Sequence, residues 1–375
     1  MPEIWLRYGT TDVVLDIRFE NLASQVSSNF PAMPDEQVRE ALIGGVPVTD
    51  NMLVVALSSS MAAAKAVRQI AATAPSVTVD VPGRLAGPLR SGLAAVADPQ
   101  APAISINRID YLSLEERCKK FQSTVIVSQA EYDPLFGFAG APTALVRALY
   151  QERMAEAFGA RRGNVPEPGV QGAPLKIAIA AVEGLPQATS SVELVANSAG
   201  IAGVHTGTVN GAFAGAVEQL KSMPAASEVE QCRSAVISAS SEPGPHATLA
   251  GALNSLWNSV HAVKEGGTAV LLAECREGIG GGALQALAEG RLKQEQVALS
   301  PYTEGLEHLL YIQELRQKRE LGIVSSLPNY YAAKLGFSTY AGVKDAFEKM
   351  LAKHGKGHKS LVVSDADISL VKTAG

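Results

Sequence analysis

Thr268 to Ala273, read as Thr-Ala-Val-Leu-Leu-Ala, is an unbroken run of small and branched apolar residues with no polar alternation. A strand of this kind has no face to give to water, so it belongs in a parallel sheet covered on both sides. The helical seam Leu249, Leu253, Leu256, Val260, Val263 precedes it, and Gly266-Gly267 is expected to end that helix in a positive φ. After the run come Glu274-Cys275-Arg276-Glu277, the glycines Gly278, Gly280, Gly281 and Gly282, and a new helix from about Ala283. Open parallel sheets bind ligands beyond the carboxyl ends of their strands. The glycine loop can offer backbone N–H groups to an anion at a helix start, or it can simply close a tight turn. Gly278, Gly280 and Gly281 are candidate anion contacts on the first reading. Arg276 is either a charge clamp or a surface ion-pair partner.

The same grammar recurs earlier. Met52 to Leu57 reads as a buried strand, Ser58-Ser59-Ser60 as a small polar turn, and Met61 to Ala72 as a helix. The serines can cap the helix or contact an oxyanion. An opening hairpin is expected at Ile4 to Ile17, turning at Gly9-Thr10-Thr11. Strands are expected at Val77 to Val81, Ala103 to Ile106, Val125 to Val127, Lys176 to Val182 and Gly200 to His205. Helices are expected at Arg84 to Val96, from Ser113 to Phe121, from Pro142 to Phe158, and at Gly211 to Leu220. This alternation predicts an α/β chain built on doubly wound parallel sheets. Its 375 residues exceed what one hydrophobic core usually holds. The polar turn at Lys221 to Glu230 divides a first domain, 1–225, from a second, 226–358, with a tail at 360–375 expected to return to the first. The second contains Ala235 to Ala239, the helix Leu306 to Leu321, the strand Ile323 to Ser326 and the helix Val343 to Lys353. His354-Gly355-Lys356-Gly357-His358-Lys359 reads as a solvated basic link.

Composition narrows the partners. Apolar residues make up 47% and charged residues 18%, which fits a packed domain, and the net charge of −5 gives no general attraction to nucleic acid or anionic membrane. No basic recognition helix supports a DNA-binding regulator. No apolar run approaches the roughly 20 residues of a membrane span. The start of the chain lacks signal-peptide architecture, so a cytoplasmic location is expected. Cys118, Cys232 and Cys275 are widely spaced and read as buried thiols. All six histidines fall at or after His205, so chemistry in the first two hundred residues has no imidazole.

Three stretches together resemble the nickel-dependent lactate racemase family. Val263 to Gly280 follows that family's Gly-Gly, apolar strand, Ala-Glu-Cys, Glu-Gly-x-Gly order; Phe136 to Pro142 is similar to its Phe and Gly loop; and Arg153-Met154 through Gly163-Asn164-Val165-Pro166 resembles its Gly and Asn-Pro segment. The resemblance implies two α/β domains with a cleft between them. It also implies a nickel-pincer nucleotide tethered to a lysine, a histidine on the nickel, and racemisation of 2-hydroxy acids in which the cofactor accepts hydride and two further histidines act as acid and base. This chain departs from each of those positions. Tyr132-Asp133 stands where the family has Pro-His, Thr143 where the tethering lysine would be, and Glu152 where the nickel-binding histidine would sit. Ser58-Ser59-Ser60-Met61 replaces Asp-x-Thr-Arg, and Gly251 and Asn254 replace the substrate-contacting Gln and Lys. A covalent nickel-pincer nucleotide is therefore not expected, unless His205 or His246 replaces the missing set.

Two readings follow. In the first, the chain binds a small anionic metabolite or nucleotide in the interdomain cleft, as a regulator, a subunit of a larger assembly or a homo-oligomer, with Thr143 beside the serine and glycine contacts. In the second it is an isomerase, a racemase or epimerase of 2-hydroxy acids or related substrates. Asp133 and Glu152 would then be acid and base, or ligands of a hard cation.

Overall fold

The computed structural model describes residues 3–28, 30–97, 104–223, 228–239 and 247–373. The chain opens with the hairpin β1 (Glu3–Tyr8) and β2 (Thr11–Asp16), followed by β3 (Leu22–Val26). The next elements are α1 (Asp35–Gly45), β4 (Met52–Ala56), α2 (Met61–Ala71), β5 (Val77–Val81), α3 (Ala86–Ala95), β6 (Ile106–Arg108), α4 (Leu114–Cys118) and β7 (Ser123–Gln129). A small hairpin, β8 (Glu131–Asp133) and β9 (Gly137–Ala139), leads into α5 (Ala141–Ala148), α6 (Gln151–Gly159) and α7 (Ala173–Ala181). Then come β10 (Thr189–Asn197), β11 (Gly200–Gly207), α8 (Val209–Ser222) and β12 (Glu228–Val229). The last third holds β13 (Cys232–Ser238), α9 (Leu249–Trp257), β14 (Val263–Leu272), α10 (Gly282–Ala288), α11 (Leu306–Arg316) and β15 (Glu320–Val324). It closes with α12 (Asn329–Leu335), β16 (Ser338–Thr339), α13 (Val343–His354), β17 (Ser360–Val363) and β18 (Lys372–Thr373).

Two six-stranded sheets carry the architecture. The first runs β11-β10-β7-β4-β5-β6 and the second β16-β15-β14-β13-β17-β3, and every pairing in them is parallel except β10 with β11. Both sheets are covered on both faces, as the unalternated apolar runs require. In β4, Val54 faces a core shared with Val67 and Leu89, while Leu53 and Val55 face another with Leu145. In β14, Leu271 packs with Leu253 and Leu309, while Val270 and Leu272 pack with Leu6, Leu15 and Phe347. No described helix is long and apolar enough to cross a membrane.

Several expectations are corrected by the pairing. The opening of the chain joins the second sheet rather than the first, because β3 pairs in parallel with β17 and the hairpin lies on that sheet's face. Ser360 to Val363 pairs with β13 and so stays in the second sheet instead of returning to the first. The chain thus crosses between sheets after β3 and again after α8. Asn197 secures the first crossing by donating to the carbonyls of Ser28 at 3.2 Å and Phe30 at 2.8 Å. The second lies at the expected polar turn, whose residues 224–227 are outside the described residues. Ala103 and His246 are also outside them.

Lys176 to Val182, expected as a strand, lies mostly in α7, with Pro174 in its first turn. A short apolar run does not distinguish strand from buried helix, and Pro preset for a first helical turn decides it here. The expected helix after Pro142 breaks into α5 and α6. The pair Gly266-Gly267 does not end a helix: α9 stops at Trp257, and the two glycines form a bulge inside β14. Gly266 has φ +75°, and a Cβ on Gly267 would come within 2.6 Å of the Arg233 carbonyl. Backbone approach, and not helix capping, is what these glycines permit.

Candidate functional site

The carboxyl edge of the first sheet carries three charged side chains that turn toward the second sheet. Asp133 ends β8, Arg147 lies in the last turn of α5, and Arg84 follows β5. Asp133 is 4% exposed. Its Oδ1 accepts from the backbone N–H groups of Leu135 at 2.8 Å and Phe136 at 2.7 Å, and its Oδ2 accepts from Arg147 Nη2 at 3.1 Å. The other arm of the guanidinium, Nη1, donates to Glu307 Oε1 at 2.7 Å. Glu307 comes from the first turn of α11, where the helix dipole favours its charge. Arg147 therefore bridges a carboxylate from each sheet and lies over the Phe136 ring at 5.1 Å. Burial opposes its charge, but Asp133 and Glu307 outweigh it and hold its pKa above the ordinary value.

A second bridge runs beside the first, since Arg84 is ion-paired with Glu304. Arg84 keeps 53% of its side chain open to water, so surrounding protein desolvates it only in part. That desolvation and then the neighbouring Arg147 charge lower its pKa, which puts both guanidiniums in one electrostatic neighbourhood. Tyr302 and Tyr311 complete the wall. Burial raises both phenols, with Glu307 adding to each, and the Tyr311 hydroxyl donates to the Pro134 carbonyl at 3.3 Å across the interface. Tyr302 packs on Phe158 with ring centroids 5.0 Å apart. Behind Glu307, His308 accepts the Trp257 Nε1–H at Nδ1 over 2.9 Å, which assigns the neutral ring's proton to Nε2. Burial lowers the His308 pKa and Glu307 partly offsets it. The second carboxylate oxygen of Glu307, Oε2, is buried and has no hydrogen-bond partner.

The residues singled out from sequence occupy different places. Ser60 caps α2, accepting from the Ala63 N–H at 3.1 Å, and Ser58 bonds to Ser60, while Ser59 Oγ is buried without a partner. All three serines are buried. Thr143 is consumed by a cap on α5: its Oγ1 donates to the Gly140 carbonyl and accepts from the Gly140 N–H, each at 3.0 Å. Replacing Thr143 with alanine is expected to cost about 1–2 kcal/mol in chemical denaturation by leaving that buried N–H unpaired, and serine is expected to retain most of it. Full retention by alanine would mean that the cap contributes nothing. Glu152 is exposed in the first turn of α6, unlike the buried and clamped Asp133.

The glycine loop serves α9. Gly278 and Ile279 carbonyls accept from Leu249 and Ala250 at 3.0 and 2.9 Å, and the N–H groups of Glu277 and Gly278 are bonded to Ala247 and Cys275. Gly278 and Gly280 both adopt positive φ, and Gly281 is buried against the Glu304 backbone. Arg276 is exposed. Cys275 sits at φ +53°, and its thiol is pushed up to about 12 by burial and then by Glu274. All three cysteines are free and buried. His205 lies on edge strand β11, bonded to Gln219 at 2.6 Å. Among the described residues, no three His, Cys, Asp or Glu side chains gather as a metal site.

Arg84, Arg147 and the pair Glu304 and Glu307 went unread in the sequence, because they come from three stretches far apart in the chain. So did Glu193, which is fully buried in β10 and accepts the Ala141 N–H at 2.6 Å. Burial pushes the Glu193 carboxyl up to about 8, against the lowering effect of Ala141 and Ser128. The available signal was a lone acid in the apolar run Val192 to Ala196.

These two covered parallel sheets define a lactate racemase-like α/β fold. The lactate racemase apoprotein from Thermoanaerobacterium thermosaccharolyticum superposes with a TM-score of 0.71 at 12% identity, covering 99% of this chain and 100% of that one. A protein from Thermotoga maritima gives 0.69 at 10% identity, covering 92% and 99%. No family model and no curated protein matches the chain.

Proposed function

We propose that this chain is a binding protein on the lactate racemase-like fold, taking a small anionic metabolite between its two sheets in a regulatory or subunit role. The observation that carries the reading is the double bridge: each guanidinium of the first sheet, Arg84 and Arg147, holds a carboxylate lent by the second. Such a pair of cations recognises carboxylate or phosphate, and the internal Glu304 and Glu307 carboxylates occupy them when no ligand does. A ligand carboxylate would replace Glu307 on Arg147 and release a buried charge whose second oxygen is unpartnered.

Nickel-pincer racemisation is not part of this reading. At the position the resemblance gives to the tether, Thr143 offers no amine and its hydroxyl is spent on Gly140. Glu152, at the nickel-ligand position, is a solvent-exposed carboxylate. These side chains do not fit a covalently held nickel cofactor.

Trp257 reports on the site because it bonds to His308, the neighbour of Glu307. In a Trp5→Phe background, titration with a 2-hydroxy dicarboxylate such as malate should shift Trp257 emission and raise the melting temperature. Glu307→Gln should bind it more tightly, since a neutral amide competes less for Arg147. An absence of response to small carboxylates and phosphates in both proteins would overturn the proposal.

A further inference from the structure

A cavity of about 710 Å³ lies at the opposite edge of the second sheet, against the starts of β3, β13, β14 and β17. It is separate from the double bridge, which belongs to the carboxyl edge. Three cations line it from three different connections: Arg233 entering β13, Lys264 entering β14, and Lys359 entering β17. All three side chains are exposed, and none is ion-paired among the described residues. Some surface cations of this chain are paired locally, as in Lys119 with Glu116 or Lys349 with Asp345, and others are not; what sets these three apart is that they converge on one cavity. Glu230 is the acidic side chain in the lining.

The floor of the cavity is rigid. His358, expected in a solvated link, is 8% exposed and held on both ring nitrogens. The Gly355 carbonyl can only accept, so Nδ1 donates to it at 2.9 Å, and Nε2 accepts from the Ser234 hydroxyl at 2.9 Å. His354 is fixed by Thr268 Oγ1 at 3.0 Å. The basic link is therefore a built wall, and it sets Lys359 beside the cavity. Burial raises the pKa of the lining Cys232 thiol; the Lys264 charge opposes this, Glu230 adds to it and Lys359 opposes it.

We infer that this cavity binds a small soluble molecule carrying a phosphate or diphosphate group. Three cations against one carboxylate leave two unbalanced positive charges, which match a phosphate dianion and exceed what a monocarboxylate supplies. Arg233 contributes the planar fork suited to phosphate oxygens, and the lysines act as point charges. The volume is that of a typical small-molecule site.

Inorganic pyrophosphate is the probe, measured by calorimetry and by hydrogen exchange on the full chain. Binding is expected to weaken at least tenfold in Arg233→Gln/Lys264→Gln and further with Lys359→Gln, at an unchanged melting temperature without ligand. Lys264→Arg should keep most of the affinity. Exchange protection is expected at 229–233 and 357–359, and malate should not compete. If wild type binds no pyrophosphate, if the neutralised variants bind it equally, or if protection falls on Arg84 and Arg147 instead, the inference is wrong.

Discussion

Arg147→Met is expected to destabilise the protein by about 3–5 kcal/mol, because it leaves Asp133 and Glu307 buried on either side of an apolar side chain. The loss is that of stranded charge, not of attraction alone. Asp133 retains two backbone donors, so Glu307 should bear more of the penalty. Adding Glu307→Gln to Arg147→Met is therefore expected to recover a large part of the stability, and adding Asp133→Asn a smaller part. Urea unfolding of the single, double and triple variants checks this. If Arg147→Met costs under about 1 kcal/mol, the bridge behaves as an ordinary exposed ion pair and cannot latch the two sheets together.

The second large effect concerns Glu193 and pH. Its folded pKa of about 8 lies above the unfolded value of 4.5, so the folded state binds more protons between those limits. The contribution is therefore fully present below about pH 4.5 and is lost as pH rises through about 8. The total is on the order of a few kcal/mol. Glu193→Gln keeps an acceptor for the Ala141 N–H and has no proton to lose. The difference in stability between variant and wild type should grow in favour of the variant from pH 5 to pH 9. Parallel pH profiles for the two proteins would show that Glu193 does not titrate in that window.

Much of the fold was legible because parallel strands buried on both faces must be apolar throughout. Met52 to Ala56 and Thr268 to Leu272 announce themselves without reference to anything distant. Ser60 and Ser113 announced helix starts for the same local reason, and both cap as expected. Local readings failed where two local solutions were equivalent. The alanine-rich run in α7 suits either a strand or a helix, and Gly266-Gly267 permits either a helix end or a bulge. In β10 the buried Glu193 and the serines broke the apolar pattern, so the strand between β7 and β11 went unread.

The site was less legible than the fold. Asp133 was named because Tyr132-Asp133 stands where the resembled family has Pro-His, yet its role depends on Arg147, fourteen residues on, and on Glu307, which the chain reaches 160 residues after that. Thr143 and Ser60 are of residue types that can contact an anion, but helix starts claimed their oxygens first. The basic link at His354 to Lys359 looked solvated because its composition is polar. Burial of His358 under Ser234 and Ser360 became visible only once β13 and β17 were paired.

By itself, then, the sequence determined which segments had to be buried and that they alternate with helices, because apolar transfer and capping act over a few residues. Only the tertiary structure decided that the first strands complete the last sheet, that two arginines meet two glutamates between the sheets, and that three cations from separate connections share one cavity. Charge pairing and strand order depend on distances in space, and those are set after the chain has crossed between its two sheets.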